Sequence, residues 1–580
     1  MPNILLIVTD DQGYGDMSCH GNPWLKTPNI DKLYQESTRL TDFHVSPTCS
    51  PTRAALLTGH YANRTGVWHT VGGRSLLREN EITIAEVLRK EGYKTGIFGK
   101  WHLGDNIPFR PQDRGFDEVL VHGGGGVGQQ PDFWNNNYYN DTYFHNGKPE
   151  KYNGYCTDVW FESATKFIKE KSDTKEPFFC YVSTNAPHSP HYVENKYSDK
   201  YQDNDSIVDP FYYGMIDNLD YNIGNMMRSL DSLGIEDNTI VIFMSDNGTT
   251  NHAGLVLDEW DGYVVKGYNA GMRGSKVSMY EGGHRVPFFI RWPNGGVKPG
   301  RDIDALTAHV DVFPTLLEML SIKNEKHIKF DGESLWDLIG GRTDTMRKRT
   351  LITDSQRLEY PEKWRRSATM QNKWRLINGK ELYDLNTDPE QRIDIANKYP
   401  EKVKELRDEY EKWWLDIKPD LSGYPAIYLG TKEEPETIIN TMDLHPDENF
   451  PEVPWHQRHI RIPVKITGWY ATKFMETGRY RFKLYRWPPE EQKALFSKMP
   501  AYPGVLNTNI PELVKGESID IKKAQVSVDG KEVTVDINKD KSYVAIELSV
   551  NKGFHKLRTD FIDDKEKLFS AYYVGIEKIN

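Results

Sequence analysis

Five short apolar runs, each cut off by polar or glycine-rich residues, constrain this chain more than any other feature. They are NILLIVTDD (3–11), YKTGIFGKWHLG (93–104), PFFCYVSTNAPHSPH (177–191), TIVIFMSDNG (239–248) and VPFFIRWP (286–293). Runs of this length without alternation suit strands buried on both faces of a mostly parallel sheet. Amphipathic helical patterns fall between them, at EITIAEVLRKEGY (81–93), TDVWFESATKFIKEK (157–171) and PFYYGMIDNLDYNIGNMMRSLDSLGI (210–235). That alternation predicts an α/β domain over residues 1–345, with a large, mostly parallel sheet flanked by helices.

The pattern changes after residue 345. KWRLINGKELYDLNTDPEQ (373–391) reads as a hairpin ending in a turn, and NKYPEKVKELRDEYEKWWLDI (397–417) as a helix, so 346–420 is expected to be a small α+β subdomain. Residues 421–455, rich in Pro, Gly and acidic residues, read as a linker or wrapped loop. From 456 the period becomes two, in HIRIPVKITGWYATKF, GRYRFKLYRW, AQVSVDGKEVTVDI, YVAIELSV and SAYYVGIEKI. Asp529-Gly530 adds a hairpin signal. Residues 456–580 are expected to form an all-β sandwich-like module.

A length of 580 residues requires more than one domain, and the formal net charge of −11 argues against a general affinity for nucleic acid or anionic membrane. No stretch approaches the ~20 apolar residues of a membrane span. The opening MPNILLIVTDD is too short for a secretory leader and reads as a strand. Either the protein is cytoplasmic or a leader has been removed. The four cysteines, Cys19, Cys49, Cys156 and Cys180, contain no CxxC pair. Cys156 and Cys180 could pair in an oxidising compartment, or remain buried thiols.

Two strands end alike: one delivers Asp10 and Asp11, the other Asp246 and Asn247. Open α/β sheets place their sites at the carboxyl ends of strands. Such residues can simply cap the helices that follow. If the two pairs converge, a hard cation resolves their repulsion, because calcium and magnesium take oxygen ligands. GKWHLG sets Lys100 and His102 two residues apart, on one side if the segment is extended. NAPHSPH supplies His188, and GMRGSKVSMYEGG supplies Arg273 and Lys276. In CSPTR, Ser50 is expected to cap a helix with Pro51 in its first turn, and Arg53 lies one turn in, able to point back at Cys49. A helix start favours negative charge, whether a thiolate or a bound anion.

The stretch CSPTRAALLTG (49–59) resembles the sulfatase signature, Cys-x-Pro-x-Arg followed by four residues and Thr-Gly. Asp10-Asp11, GKWHLG, APHSPH, SDNG and GSK agree with the same family in order, over roughly residues 1–420. The resemblance implies an alkaline-phosphatase-like fold and conversion of Cys49 to Cα-formylglycine by a maturation enzyme. It also implies a calcium ion (magnesium being the lesser alternative) held by Asp10, Asp11, residue 49, Asp246 and Asn247. The hydrated aldehyde would attack sulfur, and the sulfo-enzyme intermediate would be resolved by elimination. Lys100 and Lys276 would bear on the sulfate, His188 would protonate the leaving oxygen, His102 would take the second hydroxyl's proton, and Arg53 would orient the hydrate.

The segments 122–155 and 248–271 are rich in Gly, Asn and aromatic residues, a composition suited to a sugar-binding rim. They and their neighbours nominate Trp134, His145, His191, His252 and Arg273 as substrate contacts, and a sulfated carbohydrate as the substrate. YRFKLYRWPPE resembles C-terminal regions of bacterial polysaccharide sulfatases, which implies a periplasmic or secreted bacterial protein. The rivals are a phosphatase or phosphodiesterase of the same superfamily and a non-catalytic glycan-binding protein.

Overall fold

The computed structural model describes residues 1–448 and 453–580. Ten strands, numbered here along the chain, form the main sheet: β1 (Asn3–Thr9), β2 (Thr38–Leu40), β3 (Lys94–Gly99), β4 (Glu118–Val121), β5 (Thr142–His145), β6 (Lys148–Lys151), β7 (Phe178–Ser183), β8 (Thr239–Ser245), β9 (Phe288–Arg291) and β10 (Arg301–Ile303). Their spatial order is β10-β2-β9-β8-β1-β7-β3-β4-β5-β6. The five central strands, β8, β1, β7, β3 and β4, are mutually parallel, and β9 joins β8 antiparallel.

The unbroken apolar runs are explained by what covers each face. Along β1, Ile4, Leu6 and Val8 point into one core and Leu5 and Ile7 into the other. β8 divides in the same way, Ile240, Ile242 and Met244 against Val241 and Phe243. The first face is covered by helix α1 (Cys49–Thr58), through Ala54, Leu56 and Leu57. The second is covered by α2 (Cys156–Asp173) and α3 (Pro210–Ser232). Met215, Leu219, Ile223, Met226 and Leu230 of α3 recur at the three- and four-residue spacing of one helical face. Asp209 starts that helix by accepting from the backbone N–H groups of Phe211 and Tyr212, with Pro210 in its first turn. Cys156 and Cys180 are buried free thiols in the second core.

Four antiparallel strands (Leu351–Asp354, Ser367–Gln371, Trp374–Ile377 and Glu381–Asp384) pack with the helix Pro400–Ile417. The β strands after residue 420 make a seven-stranded and a four-stranded sheet around one core that includes Tyr470, Phe482, Leu557 and Val574. Asp529 and Gly530, both at positive φ, join Ile521–Val528 to Lys531–Asp536 in the expected hairpin. Two features depart from the period-two reading. Gln457–Arg461 is a short helix, so strand structure resumes only at Gly468–Phe474. The stretch expected as linker or wrapped loop carries Ile427–Leu429 and Glu436–Asn440, each paired into one of the two sheets. Backbone partners supplied from far along the chain make strands of segments whose own pattern is weak.

Candidate active site

The carboxyl ends of β1, β3, β7 and β8 converge at one edge of the sheet, and each delivers polar residues there. Gly99, at φ 113°, lets two of these ends approach: a Cβ at this position would lie 2.0 Å from the Ser183 carbonyl oxygen. Lys100, immediately after it, reaches Asp10 with Nζ 2.6 Å from Oδ2, both side chains fully buried. Asp11 accepts from Asn247 Nδ2 at 2.7 Å, from Thr250 Oγ1 at 2.8 Å and from Lys276 Nζ at 2.6 Å, and His188 Nε2 stands 3.8 Å from it.

Helix α1 begins at Cys49, with Thr48 in the capping position and no side-chain cap. Ser50 is therefore not the cap its type suggests; its Oγ is buried without a hydrogen-bond partner. Arg53, one turn into the helix, turns its guanidinium to the strand ends. Its Nη2 donates to Asp246 Oδ2 at 2.7 Å, lies 4.0 Å from Asp10 Oδ1, and its Nη1 donates to Ser183 Oγ. Ser183 passes the tie on, donating to the Lys100 carbonyl at 2.6 Å.

His102 sits at φ 60°, so Lys100 and His102 do not lie along an extended strand as expected. The left-handed turn swings the imidazole separately to Cys49, with Nδ1 3.5 Å from Sγ and Nε2 2.9 Å from the Thr70 carbonyl. The glycine-rich loop packs on this ring: a Cβ on Gly125 would lie 2.2 Å from His102 Cε1.

Electrostatics divides the cluster. Burial raises Asp10 and Asp246 to about 6, and repulsion by Asp11 on Asp10, and by Asp10 and Asp11 on Asp246, adds to it. Burial would also raise Asp11, but Lys276, His188 and the Asn247 hydrogen bond together hold it well below the usual carboxylate range. Burial opposes the charge on Lys276, and Asp11 overrides it and keeps the ammonium. Burial, reinforced by neighbouring ammonium groups, pushes His102 well down and His188 to about 3, so both rings are neutral.

The donor set fits a hard cation. Ligand atoms of Asp10, Cys49 and Asp246 lie within 4.8 Å of one another. Asp10 Oδ1 and Asn247 Oδ1 are buried with no hydrogen-bond partner, an arrangement that costs about 1–3 kcal/mol per group unless something else binds them. Oxygen donors from carboxylates and an amide are those that calcium and magnesium take.

A cavity of about 320 Å³ opens onto Cys49, His102, His188 and Lys276. Its outer wall comes from elsewhere in the chain: Arg357 and Glu359 from the small subdomain, Val453 and Trp455 from the segment leading into the β module, and Gln129 from the glycine-rich loop. None of the five expected substrate contacts lines it. Trp134 is a core residue, 3% exposed, packed on Trp487 and under the Arg461 guanidinium. His145 lies on the antiparallel strand β5 between Glu118 and Glu150. Arg273 is held by the Asp261 and Gln391 carbonyls and the Tyr383 hydroxyl, and stacks on Tyr280. His191 pairs with Asp209 and packs on Tyr212, whose hydroxyl donates to the Asp11 carbonyl, one layer behind the site. His252 is exposed on a turn. Aromatic and asparagine content marked these loops, and most of it is used in their own packing. Thr250, Ser183, Arg357 and Trp455 were missed; none stands in a motif, and only the tertiary arrangement brings them here.

Comparison with known proteins adds a second line of observation. The sulfatase family matches residues 2–322, and the family described as N-sulphoglucosamine sulphohydrolase, C-terminal, matches 274–415. An N-acetylgalactosamine-6-O-sulfatase of Bacteroides thetaiotaomicron is 31% identical over 70% of this chain and 91% of its own. A rat steryl-sulfatase is 29% identical over 59% of this chain and 70% of its own. Among solved structures, Ps i-CgsB in complex with k-i-k-neocarrahexaose superposes with a TM-score of 0.64 at 28% identity, covering 73% of this chain and 95% of that one.

Proposed function

From the premise that this chain belongs to the sulfatase family and is a sulfuric ester hydrolase, we propose that it removes an O-sulfate from a carbohydrate, using a Cα-formylglycine made from Cys49 and a calcium ion. The observation that carries this reading is the placement of Cys49. It opens a helix at the base of a cavity, beside the Asp10 and Asp246 carboxylates, of which Asp10 Oδ1 is buried without a hydrogen-bond partner, and 3.5 Å from a neutral imidazole. The carbohydrate is supported by relatives: one is named an N-acetylgalactosamine-6-O-sulfatase, and another was solved with k-i-k-neocarrahexaose.

Asp10, Asp11, Asp246, Asn247 and residue 49 would hold the ion, with calcium favoured over magnesium because the donors are many and come from separate strand ends. When bound, calcium supplies a Lewis acid that lowers the pKa of a residue-49 hydroxyl, and the hydrated aldehyde supplies two such hydroxyls, one to attack sulfur and one to expel sulfate by elimination. The chain's own residues do the rest. Lys100 and Lys276, already buried against Asp10 and Asp11, place fixed positive charge where sulfate oxygens gain charge. Arg53 holds the start of α1 against Asp246. His102, neutral and oriented by the Thr70 carbonyl, accepts a proton from residue 49. Lys276, which stays charged, is the group able to protonate the leaving oxygen; His188, the acid expected from the sequence, is neutral beside Asp11 and serves to hydrogen-bond and orient that oxygen. A maturation enzyme and a periplasmic or secreted bacterial location belong to the same reading.

The test is sulfate release from defined sulfated sugars, run beside matching phosphate monoesters. Active protein should be about 18 Da lighter at the peptide carrying Cys49, the change from CH2SH to CHO. Cys49→Ala should keep its melting temperature and lose turnover by at least about a thousandfold. Full activity in that variant, or a preference for phosphate, overturns the proposal.

A further inference from the structure

A second cavity, of about 490 Å³, adjoins the one that opens on Cys49. Gln129 and Trp455 line both, and the two are bordered by consecutive residues, His188 in the first and Ser189 in the second. The far wall of the second cavity is built by the short helix Gln457–Arg461 and by residues 511–514. The two matching families end at residue 415, so this wall is made by chain outside them.

Both cavities carry a cation without a counter-charge. Arg357 lines the first; among the described residues it has no carboxylate within ion-pair distance, and its Nε is buried without a hydrogen-bond partner. The neighbouring Glu359 is engaged by Arg74 and His445, both at 3.1 Å. Arg458 lines the second cavity, is exposed, and also has no ion-pair partner among the described residues. Glu512 is the carboxylate on that wall, so the cleft is not uniformly basic. Trp455, half-buried where the cavities meet, offers an indole on which a sugar face can stack.

We propose that the two cavities are one cleft for a sulfated oligosaccharide bearing more than one anionic group. The sugar carrying the ester to be cut lies over residue 49, its chain neighbour crosses Trp455, and Arg357 and Arg458 receive the further anionic groups. This rests on the carbohydrate-sulfatase reading above and narrows its substrate to a chain.

The experiment compares kcat/KM on a sulfated monosaccharide with that on the tetrasaccharide of the same repeat, for wild type, Arg458→Ala and Arg458→Lys. Wild type is expected to prefer the tetrasaccharide by about tenfold or more, the worth of one charge-assisted contact at a partly solvated site. Arg458→Ala should reduce that ratio about tenfold, mainly through KM, and Arg458→Lys should keep most of it. Equal rates on both lengths, or a ratio unmoved by Arg458→Ala, overturn the cleft and leave the sulfatase reading standing. Turnover of neither sugar by matured wild type overturns the reading beneath it.

Discussion

The Arg53 guanidinium lies 2.7 Å from the Asp246 carboxylate, and neither side chain is exposed to solvent. One residue is a turn into α1 and the other directly follows β8, so this ion pair locks the helix that carries Cys49 to the strand end that carries Asp246 and Asn247. A buried pair of this kind is weak as a net source of stability, and breaking it is strongly unfavourable, because one charge is then left alone. Its value here is positional.

Metal removal follows from that arrangement. Chelation should leave Asp10, Asp11 and Asp246 close together with no cation between them, lowering the melting temperature and abolishing turnover. Adding calcium back at 100 times its dissociation constant should restore about 2.7 kcal/mol of stability. A thermal scan with and without chelator reads this directly; identical curves would contradict a cation bound by these residues.

Gly125→Ala tests how His102 is held. The new methyl would meet the imidazole at 2.2 Å, so the ring or the loop must move. Because backbone adjusts less readily than a ring, the imidazole should be displaced from residue 49. A loss in kcat of about tenfold or more is expected, with global stability changed by about 1–3 kcal/mol. Unaltered kcat would mean that this imidazole needs no such placement.

Arg375 joins the small subdomain to the main sheet. Fully buried, it donates to Glu281 at 2.7 Å and to Asp42 at 2.8 Å. Arg375→Ala leaves two buried carboxylates short of a partner and should destabilise by about 3–5 kcal/mol. Urea unfolding of the variant measures it. Loss of less than about 1 kcal/mol would show that His44, Arg285 and Lys373 carry those charges unaided.

Asp443 gives a pH dependence away from the catalytic cluster. Burial raises its carboxyl to about 8, with Asp105 adding to the effect, and its Oδ2 has no hydrogen-bond partner. The folded protein therefore holds a proton that the unfolded chain, with an ordinary carboxyl near 3.8, releases. The stability this contributes is fully present below the unfolded value and is lost as pH rises through about 8. Asp443→Asn should match wild type at pH 4 and become progressively more stable than it up to pH 8 to 9, a window that thermal scans can cover. A constant difference at all pH values is incompatible with this titration.

Much of the site is legible in the sequence because its parts are local. An apolar run ending in Asp-Asp or Asp-Asn must, in a parallel sheet, put those groups at the carboxyl edge, and Cys-x-Pro-x-Arg sets an arginine one turn behind a cysteine wherever it folds. Asp10, Asp11, Asp246, Asn247, Cys49 and Arg53 stand in such stretches, Lys100, His102, His188 and Lys276 were joined to them by the resemblance to sulfatases, and the fold brings these side chains together. Even here the route differed for His102, whose positive φ no spacing rule foretold.

The walls around the cluster were decided only by tertiary structure. Trp134 and Trp455 stand in similarly aromatic, glycine- or proline-rich stretches, yet one is sealed in the core with Trp487 and the other lines the cavity. The difference lies in which surfaces the β module covers when it packs, and that is set by contacts between residues hundreds of positions apart. Periodicity and caps act over a few residues and are written in composition and spacing. Burial of a given loop face depends on the shape of everything docked against it, and short-range patterns do not carry that information.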